Sequence, residues 1–166
     1  MKSKTILQMC LLTIALVSCS EMTSKQSSEI KEAVTSKETD EASITLNGDS
    51  DLNQAGLLKS IYFHYKSVEL SSEAKEILEN NAQFLKTNPT IKIKIEGHCD
   101  DRGGIKYNRR LGYKRAKTVR DYLVNLGIKN SLSKSISLGK EKPVYFGETE
   151  EAWSKNRRVN FVITAK

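Results

Sequence analysis

Cysteine is scarce, long apolar runs are missing, and the first third of the chain has no aromatic residue. Three cysteines in 166 residues are an odd set and too few for a disulfide-stapled miniprotein. Hydrophobic residues reach only 38% and the mean hydropathy is −0.48, which excludes a multi-span membrane protein. What is abundant is positive charge: 27 Lys and Arg oppose 20 Asp and Glu, a net of +7. The length suits one domain with an appendage rather than two domains.

The longest apolar run, Ile6 to Val17, has twelve residues. As a helix it covers about 18 Å, against a hydrocarbon core of roughly 30 Å. With Lys2 and Lys4 ahead of it, it reads as the core of a secretory signal rather than a span. It ends in Leu16-Val17-Ser18-Cys19, which resembles the lipobox of bacterial lipoprotein signals. The expectation is a signal over residues 1–18 cleaved before an acylated Cys19. With Ser20 rather than Asp behind the lipid, sorting to the outer membrane is expected. The alternative is ordinary cleavage near Ser18 and a soluble secreted protein. Several acyl chains, at about 0.8 kcal/mol per buried CH₂, hold a protein on a bilayer without a transmembrane helix. Cys10 then leaves with the signal, and Cys99 is the one remaining thiol, so no disulfide forms within the mature chain even in an oxidising compartment.

Charge divides the rest. Residues 20–58 carry three lysines against eight acids, a net of −5, and are rich in Ser, Thr, Glu and Lys. Such a segment buries too little apolar area to offset the entropy of ordering it, so residues 19–58 read as an acylated, acidic, disordered tether. Residues 59–166 hold 22 basic and 12 acidic residues and all eleven aromatics, and form the expected domain.

Inside that domain the hydrophobic period switches repeatedly. Ser60 to Tyr65 is β-branched and aromatic, a strand. Ser71 or Ser72 caps a helix with Ala74, Ile77, Leu78, Ala82 and Leu85 on one face, stopped by Asn88-Pro89. Ile91 to Ile95 alternates strictly with lysine, a half-buried strand. A second helix begins at Asn108, with Leu111, Ala116, Val119, Leu123 and Leu126 inward, and closes at Gly127. Ser135 to Leu138 is a short strand, Glu150 to Asn156 one or two helical turns, and Val159, Phe161 and Ile163 mark a last strand. The order β-α-β-α-β-(α)-β predicts an α+β sandwich, with helices on one face of a mixed four-stranded sheet.

The chemically loaded segment follows the second strand: Gly97-His98-Cys99-Asp100-Asp101-Arg102-Gly103-Gly104, then Tyr107-Asn108 and Leu111 to Ala116. It sits where a strand ends and a helix starts, a place for exposed loop groups and free helix N–H donors. A nucleophilic dyad of Cys99 with His98 or His64 is one reading, although neighbours on an extended chain point to opposite sides. A metal site from His64, His98 and Asp100 lacks ligand spacing. Nucleic-acid binding lacks any recognition motif. A plain capped turn with an Asp100–Arg115 ion pair is a further reading.

One more reading rests on resemblance. The words Ile61-Tyr62-Phe63, Phe84 to Pro89, Glu96 to Gly103, Tyr107-Asn108, Leu111-Gly112, Arg115-Ala116, Gly139 to Pro143 and Ser154 to Arg158 occur in the same order in the OmpA-like peptidoglycan-binding domain family. The domain resembles that family throughout, and the lipobox and acidic tether resemble its lipoprotein branch. The resemblance implies a non-enzymatic module, without cofactor, metal or nucleic acid, whose Asp100 and Arg115 grip diaminopimelate in the peptidoglycan stem peptide. It implies Asn108, Tyr65, His98 and Arg157 as further contributors. It also implies an outer-membrane lipoprotein with its domain in the periplasm and Tol-system partners, TolB first and TolA second. Where family members commonly carry an aromatic-Asp pair, this chain has Tyr65-Lys66; His64 and Cys99 also replace the usual residues.

The chemistry fits independently. The distal end of diaminopimelate is one ammonium and one carboxylate on a single carbon, and Asp with Arg supplies an acceptor-only anion and a planar donor. A protein-only adaptor and a murein-acting enzyme using Cys99 are the alternatives that stay open at this point.

Overall fold

The computed structural model describes residues 44–166; the signal, the lipobox with Cys19 and most of the expected tether lie outside the described residues. Along the chain come β1 (Ile61–Tyr62), α1 (Ser72–Thr87), β2 (Lys92–His98), α2 (Ile105–Asn125), a 3₁₀ turn (Asn130–Leu132), β3 (Ser133–Gly139), α3 (Glu150–Asn156) and β4 (Arg158–Ala165). The sheet order is β1-β4-β2-β3. β4 runs antiparallel to both neighbours, and β2 and β3 run parallel, with α2 as the crossover between them. The expected α+β architecture is present, with a mixed sheet of four strands.

Local chemistry sets the elements. The Ser71 hydroxyl accepts from the Ala74 N–H at 3.1 Å and Asn88 closes α1, as the sequence predicts. Ile93 and Ile95 of β2 and Val159, Phe161 and Ile163 of β4 are buried against Leu78 and Leu85 of α1 and Val119 and Leu123 of α2. Each such large side chain contributes about 1.5–3 kcal/mol when fully withdrawn from water. α2 starts at Ile105 behind Gly104, one turn before the expected Asn108. β1 is two residues long rather than six, because the chain turns back at His64, whose carbonyl accepts from the Ser67 N–H at 3.1 Å.

The expected boundary at 58/59 needs correction. Residues 47–50 run beside β4 where β1 stops: Asn47 N–H donates to the Ile163 carbonyl at 2.8 Å, Ile163 N–H to Gly48 at 3.1 Å and Ser50 N–H to Phe161 at 2.9 Å. Ala55 and Leu58 enter the core. Ser50 Oγ donates to Asn160 Oδ1 at 2.7 Å, and Asp51 takes Arg158 Nε at 2.7 Å. The acidic composition of the whole stretch hides this, because a sheet edge is satisfied by backbone groups of any sequence.

Candidate functional site

The site forms where β2 runs out. Gly97 of β2 lies against Gly112 of α2 so closely that a Cβ on Gly97 would stand 1.8 Å from the Gly112 carbonyl oxygen. That contact sets α2 down on the strand and places Arg115, one turn further, under the segment leaving β2. Asp100 then emerges from the strand, and the loop before α2 is tied down by Asn108 Nδ2 donating to the Arg102 carbonyl at 2.9 Å. The result is a cavity of about 320 Å³ lined by Tyr65, Lys66, Asp100, Arg102, Asn108 and Arg115, with Arg157 at one side.

Asp100 and Arg115 share this cavity without pairing. Arg115, 0% exposed, donates from Nε to the Ser67 carbonyl at 2.9 Å, from Nη1 to the His98 carbonyl at 2.9 Å and from Nη2 to the His64 carbonyl at 3.1 Å. Nη1 also meets Cys99 Sγ at 3.6 Å. Burial lowers its pKa from the ordinary value, though a guanidinium keeps its proton. Of its five N–H groups one, on Nη2, is left over, and no carboxylate within the described residues forms a salt bridge with it. The plain Asp100–Arg115 ion pair of the sequence reading is therefore not formed.

Asp100 instead belongs to two other arginines. Its Oδ2 takes Arg102 Nη2 at 2.6 Å and Arg157 Nη1 at 3.3 Å; no donor reaches Oδ1 among the described residues. Arg157 is buried, with Nε on the Phe63 carbonyl at 3.0 Å and Nη2 on Glu150 at 2.5 Å. Arg102 is stacked between two rings, 3.9 Å from the Tyr65 centroid and 3.9 Å from the Trp153 centroid. The Asp100 hydrogen bond raises its pKa above the ordinary value. Asp100 and Glu150 thus balance Arg102 and Arg157.

Of the residues named from sequence, Asp100, Arg115, Asn108, Tyr65 and Arg157 line the cavity. His98 does not. Its imidazole lies beyond the sheet, in a second cavity with Glu96 and Arg158, with both ring nitrogens buried and unpartnered. Burial first, then Arg158 and Lys142, lower its pKa to about 3, so it is neutral; what it gives the site is its backbone carbonyl. Cys99 is buried with its pKa raised by desolvation, and its thiol meets the Asn108 carbonyl at 3.4 Å, an arrangement for packing rather than attack. Among the described residues no group of His, Cys, Asp and Glu is gathered as for a metal ion, and no helix is long and apolar enough to cross a membrane. Sequence reasoning missed Arg102, Trp153 and Glu150 as a unit, since only the fold brings α3 to the loop after β2.

The sequence profile of the OmpA family matches residues 62–157. The chain belongs to the OmpA family. It is similar to the peptidoglycan-associated lipoprotein of Buchnera aphidicola subsp. Baizongia pistaciae, 36% identical over 95% of this chain and 96% of that one. The peptidoglycan-associated lipoprotein of Rhizobium meliloti is 42% identical over 62% of this chain and 58% of its own, so the chain matches less than two thirds of that relative's length. The crystal structure of the peptidoglycan-associated lipoprotein from Burkholderia pseudomallei superposes with a TM-score of 0.61 at 41% identity, over 63% of this chain and 88% of that one. The C-terminal domain of Helicobacter pylori MotB, at 21% identity and a TM-score of 0.61, covers 65% of this chain and 85% of its own and shares the fold. As an OmpA-family chain of this kind the protein is not an enzyme.

Proposed function

We propose that this OmpA-family domain binds peptidoglycan by taking the diaminopimelate of a stem peptide into the cavity at the end of β2. One observation carries the reading: an acceptor-only carboxylate and a guanidinium occupy one cavity on separate supports, and neither neutralises the other. The ligand's ammonium takes Asp100, at Oδ1 first and then in place of Arg102, the more exposed of its two arginine partners. The ligand's carboxylate takes the leftover Nη2 hydrogen of Arg115. Tyr65 walls the cavity, Asn108 fixes the loop that carries Arg102, and Arg157 holds Asp100 in place. The similarity to proteins named peptidoglycan-associated lipoproteins supports the same ligand.

On this reading Cys19 carries the lipid, the outer membrane holds the anchor, and the domain faces the periplasm and ties that membrane to the wall. A tether fully extended at about 3.3 Å per residue spans roughly 80 Å over the residues between Cys19 and the folded part. TolB and TolA are the protein partners that the family resemblance supplies. Many weak contacts to one polymer give avidity without a tight single site.

The test is co-sedimentation of the purified chain with isolated diaminopimelate-type sacculi. Wild type is expected in the pellet and Asp100→Asn in the supernatant, both with the same circular dichroism. Equal sedimentation of the two overturns the site, and a wild type that stays in solution but captures protein partners makes the chain an adaptor instead.

A further inference from the structure

The charges of the cavity do not close. Asp100 and Glu150 account for Arg102 and Arg157, but Arg115 at the floor and Lys66 at the mouth have no carboxylate partner among the described residues. Lys66 is exposed, with Nζ 5.1 Å from the Tyr65 ring, and it lines the cavity.

Lys66 also occupies a costly backbone. Its φ is +55°, in the third position of the turn closed by the Ser67 N–H to His64 carbonyl bond. That position calls for glycine or asparagine, and a lysine there is strained. The turn is fixed from beneath by Arg115, which binds the carbonyls at both of its ends, His64 and Ser67. One cation therefore holds in place the turn that displays the other, and the two open onto the same cavity at different depths.

We propose that the site selects a stem peptide carrying a second free carboxylate, with Lys66 as its recognition group. This rests on the reading of the cavity as the diaminopimelate site. The zwitterionic end goes to the floor, where Asp100 and Arg115 wait, and the chain of the ligand leads back past Tyr65. A further carboxylate on the same stem then lies at the mouth, beside an ammonium that no carboxylate among the described residues neutralises. An amidated stem brings a neutral group there and leaves Lys66 uncompensated.

The experiment uses a soluble muropeptide with a diaminopimelate stem, and versions in which each carboxylate outside the zwitterionic end is amidated in turn. Wild type is expected to bind one of the amidated versions about threefold more weakly than the unmodified one at low salt, the scale of a solvent-exposed ion pair, with the difference fading at 1 M salt. Lys66→Asn, which keeps the left-handed backbone, is expected to bind both alike, and Lys66→Asp to prefer the amidated one. Equal binding of all forms by wild type, or a preference that survives in Lys66→Asn, overturns this inference and leaves the diaminopimelate site standing. Failure of wild type to bind any form overturns both.

Discussion

Asp100 and Arg115 face one cavity without touching, because each is held by other groups: Asp100 by two arginines, Arg115 by three backbone carbonyls. A direct ion pair would have satisfied both and left nothing for a ligand. Separate supports keep each charge fixed and available, which is preorganisation for a zwitterion.

The two residues should therefore fail differently. Arg115→Ala takes the side-chain donor from the carbonyls of Ser67 and His98, while the His64 carbonyl keeps the Ser67 N–H, and the expected loss is at least about 2 kcal/mol of stability together with all stem-peptide binding. Asp100→Asn keeps the shape and an oxygen for the two arginines but removes one of the two carboxylates that balance Arg102 and buried Arg157, so a smaller loss of about 1 kcal/mol is expected, with the fold intact. Its affinity for a soluble muropeptide should fall tenfold or more, equivalent to about 1.4 kcal/mol. Thermal melts beside binding isotherms separate the two. An Asp100→Asn protein that binds normally would exclude the carboxylate from recognition.

His98 makes stability depend on pH. In the fold it takes no proton until about pH 3, whereas unfolded it protonates near 6.5. Between these values the unfolded state binds more protons, so stability is full above about pH 6.5 and falls as pH is lowered. From pH 7 to pH 5 the loss from this one group is about 2 kcal/mol. Denaturant unfolding of wild type and His98→Gln at several pH values checks it: the wild-type curve should fall more steeply, and parallel curves would remove His98 as the cause.

Much of this was readable in the residues, and the misses have physical reasons. The first helix announces itself through the Ser71 cap, a stripe at helical spacing and Asn88-Pro89. The central strand does so through Ile93 and Ile95 alternating with lysine. The same alternation holds the clue to His98: Gly97 shares the helix-facing side with those isoleucines, so Glu96 and His98 point the other way. The family resemblance assigns His98 to the site; strand parity sends it to the opposite face. Arg102 was legible as a charge but not as a stacked one, because Tyr65 and Trp153 are far apart in sequence and meet only in the fold.

Residues 44–58 should belong to the folded domain, which therefore does not start at Lys59. A fragment of residues 44–166 is expected to unfold cooperatively. One of residues 59–166 should lose at least about 3 kcal/mol, since it gives up the burial of Ala55 and Leu58 and the bonds along the β4 edge. It should also aggregate more readily through that uncovered edge. Urea unfolding of the two fragments decides, and equal midpoints would show that residues 44–58 add nothing to stability.

The glycine pair under the site gives the sharpest stability test. A methyl on Gly97 meets the Gly112 carbonyl oxygen at 1.8 Å, and no rotamer change moves a backbone carbonyl. Gly97→Ala must push α2 off the central strand, and the expected cost is about 3 kcal/mol or more. Gly112→Ala meets the Ser137 hydroxyl at 2.4 Å and the Gly97 carbonyl oxygen at 2.7 Å. Of these, the side chain can be removed and the backbone cannot. Gly112→Ala should therefore be milder, and Ser137→Ala should relieve it only in part. Because Arg115 follows Gly112 by three residues on the same helix, the displaced helix should also weaken muropeptide binding in whatever fraction stays folded. A Gly97→Ala protein as stable as wild type would mean that the helix does not lie on the strand as described.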